Sequence, residues 1–152
     1  MNDWIYQGIK FTPDEPFTYE RYGKEWHGFV YCITHRGTNK KYIGKKFFWS
    51  KKTLPITKTR KRRKITYVES DWRTYYGSNK HLTEEVQIHG ADFYHREILY
   101  LCKTKGECAY LEAKEQFDRD VLLSDEYYNG IINCRIGANS VKNSVHLSKT
   151  VV

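Results

Sequence analysis

The residues Gly28-Phe29-Val30-Tyr31-Cys32-Ile33-Thr34 and Lys40-Lys41-Tyr42-Ile43-Gly44-Lys45-Lys46 flank the short segment His35-Arg36-Gly37-Thr38-Asn39. Aromatic and β-branched side chains dominate the first run, and such side chains pack well on a pleated surface. Gly37 and Asn39 tolerate the backbone angles of a tight turn. Two β-rich runs joined in this way predict a β-hairpin. Tyr31 lies on its first strand and Tyr42 on its second, eleven residues apart. In a hairpin of this length the two rings can share one face, because side chains alternate strictly along each strand.

Downstream of the hairpin, residues 50–66 form a basic insertion broken by Pro55. Ser78 then precedes a helical pattern with Leu82 and Val86 one turn apart, stopped by Gly90. Phe93–Cys102 reads as a third strand. Thr104 and Glu107 have the spacing of a capping box, and the helix they open is expected to run to about Leu122, with Ala109, Ala113, Phe117 and Val121 on its inner face. Ile131–Ile136 is a further short apolar segment. Residues 1–26 hold Pro13, Pro16 and the aromatics Trp4, Tyr6, Phe11, Phe17, Tyr19, Tyr22 and Trp26 without a clear period. The expected organisation is an aromatic-rich N-terminal arm over 1–26, a domain over 27–137 and a flexible tail over 138–152. The expected fold is α+β, a small three-stranded antiparallel sheet flanked by helices.

The formal net charge is +8, and its position is more telling than its size. Lys51, Lys52, Lys58, Arg60, Lys61, Arg62, Arg63 and Lys64 lie within a stretch that has no acid, so these eight account for the whole excess. A cationic excess confined to one segment suits contact with a phosphate backbone. A solvated loop and a nuclear address are the alternatives for such a run. Cys32, Cys102, Cys108 and Cys134 show no CxxC spacing, which argues against a zinc ribbon. Cys32 and Cys102 sit in apolar runs and read as buried free thiols. The polar start lacks the apolar core of a signal peptide, and no stretch has the length of a membrane span. A reducing cytoplasmic setting fits these features.

Tyr31 at the end of Phe29-Val30-Tyr31, Tyr42 at the head of Tyr42-Ile43-Gly44, Glu112 on the second long helix and Asn129 after the paired tyrosines resemble the GIY-YIG nuclease superfamily. The likeness extends to small phage-encoded homing endonucleases of the Seg type, covers roughly residues 26–136, and includes the run Trp72–Leu82. It implies metal-dependent hydrolysis of DNA phosphodiester bonds, with double-stranded DNA as the partner and the host cytoplasm as the setting. The tyrosine matching Tyr31 would activate water, Tyr42 would support nucleophile and phosphate, Glu112 would hold one Mg²⁺ or Mn²⁺ ion, and Asn129 would order the site. A family arginine would steady the phosphate; Arg73 is the first candidate for that role, with Lys46 and Lys80 as alternatives. Glu115, one turn from Glu112, is the alternative metal ligand. The first motif departs from the family pattern in reading Phe-Val-Tyr where Gly-Ile-Tyr is usual. The basic segment would grip the DNA backbone, and cutting a duplex with one site implies either a homodimer or sequential nicking.

The residue types suit that chemistry. A carboxylate can hold a hard divalent cation that neutralises phosphate charge and stabilises the leaving oxygen, and a neighbouring cation adds to that stabilisation. Tyrosine is a poor base at a reference pKa of about 10, so either its pKa is depressed by metal and lysines or a water relay assists.

Overall fold

The computed structural model describes residues 2–147. Its centre is the strand Gly28–His35, which pairs on one side with Lys41–Phe47 and on the other with Tyr94–Cys102, both antiparallel. All three expected strands are present to within a residue or two. The central strand is buried on both faces, which explains why its sequence is continuously apolar instead of alternating. Phe29, Tyr31 and Ile33 point into an aromatic core. Val30 and Cys32 point the other way, into a smaller core with Ile43, Cys102, Cys108, Leu111 and Val121.

The sheet has five strands, not the three expected. Trp4–Tyr6 (β1) and Ile9–Lys10 (β2) form a small hairpin that extends it, giving the order β2-β1-β7-β3-β4 once Gly28–His35 is named β3, Lys41–Phe47 β4 and Tyr94–Cys102 β7. β1 runs parallel to β7, with Trp4 opposite Arg96. Strands of three and two residues are too short to display alternation, so no period marks them. What holds them is burial. Trp4, Phe17 and Tyr22 are all in the aromatic core, and each such ring contributes about 1.5–3 kcal/mol on burial. The N-terminal residues pack their aromatics on the domain as expected, with the one-turn helix Tyr19–Tyr22 (α1) on the way, and they also contribute structure to its sheet.

The basic insertion is a two-stranded ribbon closed by a loop over residues 55–63. Trp49–Leu54 (β5) and Lys64–Glu69 (β6) pair antiparallel as a separate sheet, which places the boundaries at 49 and 69 instead of 50 and 66. Trp49 anchors its root: the ring is buried against Phe17 at a centroid distance of 4.7 Å, and its Nε1 donates to Trp26 O at 2.8 Å.

Two longer helices cover the sheet. Lys80–His89 (α2) is capped by Asn79, whose side chain accepts from Leu82 N at 3.0 Å; Gly90 ends it at φ +92°, a conformation that costs glycine little. Lys105–Asp118 (α3) is capped as its sequence suggests, with Thr104 Oγ1 accepting from Glu107 N at 3.0 Å and the Glu107 carboxylate accepting from Lys103 N at 2.9 Å. It stops short of the expected Leu122. Its inner face includes Cys108, Leu111, Glu112, Ala113 and Gln116; of the expected face Ala113 and Val121 are buried, while Phe117 is exposed. The four-residue repeat holds at Ala113 and Val121 and fails at Phe117, because each step of four overshoots a helical turn by about 40°. Residues 138–147 are not a loose tail either. A 3-10 turn over Ala138–Ser140 lies beside Thr104, Leu147 packs on the smaller core, and a His146 ring nitrogen is 2.8 Å from Leu101 O. Residues 148–152 of the expected tail lie outside the described residues. Cys32 and Cys102 are buried free thiols, as their apolar surroundings suggest.

Candidate active site

Tyr31 and Tyr42 do share a face. Tyr31 is directly opposite Gly44 and Tyr42 opposite Ile33, so the rings are diagonal neighbours with centroids 6.1 Å apart. A β-bulge on β7 falls between the partners of Val30 and Tyr31, and bulges re-aim nearby side chains. Gly44 has a steric reason to be glycine: a Cβ there would collide with the Tyr31 hydroxyl and ring. Tyr31 is completely buried. The Tyr75 ring lies edge-on to it, with centroids 6.0 Å apart. Burial first, then the neighbouring tyrosines, push the Tyr31 pKa well above the ordinary tyrosine value. Tyr42 is half-buried, and its hydroxyl is 3.0 Å from Ser78 Oγ. Burial raises it too, with the Ser78 hydrogen bond pulling the other way. Without a bound cation, burial therefore works against a tyrosinate at either position.

A cleft of about 290 Å³ opens beside the edge strand β4, lined by Lys45, Lys46, Phe47, Trp49, Ser50, Ser70, Ser78 and Glu112. Alternation along β4 builds it. Lys46 shares the tyrosine face, with Nζ 2.6 Å from Asp71 Oδ1 and 4.2 Å from the centre of the Tyr75 ring. Lys45 turns to the opposite face and meets Glu112 Oε1 at 3.1 Å. Two adjacent cations thus reach around both sides of one strand. Glu112 is only 9% exposed. Burial raises its carboxyl above the ordinary glutamate range, and the Lys45 ammonium partly offsets the rise.

Asn129 stands behind this strand as a clamp. Its Oδ1 accepts from Ile43 N at 3.0 Å and its Nδ2 donates to Ile43 O at 2.8 Å. That side chain copies one rung of a β-ladder between Tyr42 and Gly44, while Tyr128 N donates to Lys41 O at 2.8 Å. Asn129 acts on the tyrosine strand through the backbone.

The structure brings Tyr31, Tyr42, Lys46, Glu112 and Asn129 into one neighbourhood and leaves Arg73 out. Arg73 lies on the 3-10 turn Trp72–Thr74, bound to Glu69 Oε1 at 3.0 Å and Glu15 Oε1 at 2.9 Å, with its guanidinium over Trp72. The ribbon between β4 and this turn breaks any counting from Tyr42. Lys80 is exposed and 4.0 Å from Glu84. Glu115 binds Tyr100 Oη at 2.5 Å and Arg119 Nε at 2.9 Å, which leaves Glu112 as the helix carboxylate of the cleft. His81 pairs with Glu85 at 3.2 Å. Two neighbours of the site, Lys45 and Asp71, escape a reading of the sequence; Tyr75 and Ser78 fall in the run Trp72–Leu82 that the resemblance covers, without a place in the site. Strand alternation is the available signal for Lys45, since Lys46 is a candidate and adjacent residues face opposite ways.

Among the described residues no three His, Cys, Asp or Glu side chains gather as a metal cage. One nearly buried carboxylate beside an open cleft does fit an ion such as Mg²⁺, which keeps several waters and is completed by substrate phosphate. The eight cations named from the sequence, Lys51 to Lys64, lie on the ribbon and its loop; seven are exposed, Arg60 is half-buried, and none makes an ion pair with a described residue. No helix of the described residues is long and apolar enough to cross a membrane.

A family model described as "Putative endonuclease segE, GIY-YIG domain" matches residues 4–132, a stretch that includes β1 and the whole ribbon. No curated protein and no solved structure matches the chain.

Proposed function

Because the chain belongs to the SegE-type GIY-YIG endonuclease family, we propose that it hydrolyses phosphodiester bonds of double-stranded DNA with one bound divalent cation, Mg²⁺ or Mn²⁺. The observation that carries this reading is the cleft in which Glu112, Lys45 and Lys46 meet beside the Tyr42–Ser78 hydroxyl pair. Glu112 would hold the cation, which when bound neutralises phosphate charge and supports the leaving oxygen.

The chain's own residues divide the remaining work. Lys46 binds a non-bridging phosphate oxygen, exchanging its exposed partner Asp71 for the substrate. A preorganised cation at that point stabilises charge developing in the transition state. Tyr42 and Ser78 orient the attacking water and pass its proton through their hydroxyl pair to solvent at the exposed Ser78, while solvent returns a proton to the leaving oxygen. Tyr31, closed off from solvent, sets the position of Tyr42 and Tyr75. Asn129 holds the backbone that carries Tyr42. The ribbon cations Lys51, Lys52, Lys58, Arg60, Lys61, Arg62, Arg63 and Lys64 bind the DNA.

Supercoiled plasmid incubated with Mg²⁺ or Mn²⁺, with chelator, and beside Glu112→Ala tests the reading. The expected result is metal-dependent cleavage that the variant loses. Nicked circles accumulating before linear product would indicate sequential nicking, and direct linearisation would indicate a homodimer on DNA. A second reading, a catalytically silent DNA-binding module of the same fold, is favoured by the diversion of Arg73 to Glu15 and Glu69. Tight binding without cleavage, on a plasmid library that contains the recognition sequence, would select it.

A further inference from the structure

The ribbon has two unlike faces. Directly opposed residues of an antiparallel pair point the same way, so Trp49 with Glu69, Lys51 with Tyr67 and Thr53 with Ile65 form one face. That face is held to the domain at its root: Trp49 is buried, and Tyr67 stacks on Tyr19 with centroids 4.4 Å apart. The other face consists of Ser50 with Val68, Lys52 with Thr66 and Leu54 with Lys64. None of these six is buried. Ser50 at its base is also a wall of the catalytic cleft, so the uncovered face starts at the active site and runs outward from it.

We infer that this face of the ribbon enters the DNA major groove and reads base edges, making it the sequence-specificity element of the enzyme. The inference rests on the nucleic-acid reading above. The shape fits: a major groove about 12 Å wide admits a two-stranded β-ribbon, and six-residue strands extend about 20 Å. The charge fits as well, since the ribbon and its loop carry eight cations and no acid from Lys51 to Lys64. The composition of the face separates readout from mere attraction. Leu54 and Val68 are 36% and 39% exposed on this face and, although Ile65 is also exposed on the other, they lie on the face continuous with the cleft. Apolar groups of this kind suit thymine methyls, threonine hydroxyls suit either donors or acceptors, and lysine suits guanine O6 and N7. Cations at the loop, by contrast, contact phosphates and carry no sequence information.

The test selects bound duplexes from a randomised library by the full chain in chelator, so that cleavage is not required. It compares the wild type with Lys52→Ala/Thr66→Ala and with Arg62→Gln/Arg63→Gln, after thermal melts confirm equal folding. The wild type should enrich a defined motif. Lys52→Ala/Thr66→Ala should lose about tenfold or more discrimination at particular motif positions, while Arg62→Gln/Arg63→Gln should bind more weakly with the motif intact. A motif that survives Lys52→Ala/Thr66→Ala unchanged overturns the inference, and so does a wild type that binds without enriching any motif. Failure of plasmid cleavage, measured separately, bears on the nuclease reading alone.

Discussion

Burial raises the Glu112 carboxyl, and the Lys45 ammonium 3.1 Å away pulls it back. The protonated acid is therefore favoured at a pH where an ordinary glutamate is ionised. Since only the carboxylate can hold a cation, cleavage should rise with pH along an acid limb displaced above the usual glutamate range. Lys45→Met removes the group that lowers this pKa, so the limb should move further toward alkaline pH. A pH–rate profile of both proteins measures it; a limb that stays in place would show that the pair does not govern activity. The same upward shift means that the folded protein holds this proton more tightly than the unfolded chain, so Glu112 favours folding most at low pH and less as pH rises through its folded value. Gly44 offers a second check at this scale. Gly44→Ala puts a methyl against Tyr31 and should cost about 1–3 kcal/mol, the usual penalty of overpacking, seen as a lower Tm together with weaker cleavage. The two tyrosines and Glu112 are legible in the sequence because a hairpin's alternation and a capped helix carry their own signals. Arg73 misleads because the ribbon, a structural insertion between Phe47 and Trp72, removes any fixed offset from Tyr42 to the basic residue.

The edge strand β4 depends on a segment that looks like a plain turn. Asn129 and Gln116 both donate to Ile43 O, at 2.8 and 3.0 Å, whereas only Asn129 accepts from Ile43 N. Asn129→Ala therefore leaves one buried N–H without a partner and should destabilise the protein by about 1–3 kcal/mol. Hydrogen exchange should locate the loss at Ile43, and activity should fall because Tyr42 loses its support. Retained exchange protection at Ile43 would refute the clamp. An Asn-Gly pair reads equally well as a turn, and only the fold reveals that its side chain completes a ladder. The same lesson applies to β1 and β2: Trp4 is visible as an aromatic, but its parallel pairing with Arg96 across the chain is not. Helix starts are clearer than the C-terminal end of α3. Thr104 satisfies a specific orphan N–H, while α3 ends before Asp120, a residue at φ +50° that no glycine or proline announces.

At the scale of the molecule, the charge excess sits on one projection and the rest of the surface is balanced. Attraction to DNA should thus be concentrated in the ribbon and its loop. Neutralising Lys58, Lys61, Arg62 and Arg63 should weaken binding to every sequence and reduce the slope of log K against log salt by up to about 0.9 for each phosphate left without its cation. A salt titration by fluorescence anisotropy measures this, and an unchanged slope would show that the loop does not touch the backbone. The parallel contact between β1 and β7 has a consequence of a different kind. A strand from the start of the chain pairs with one that begins at Tyr94, and Asn129 must then arrive to brace β4. During translation, residues 4 to 129 must all leave the ribosome before these contacts can form together. Non-local pairings of this sort also fold slowly. The strand that carries Tyr42 therefore gains its brace only after the segment through Asn129 has emerged, however early its hairpin forms.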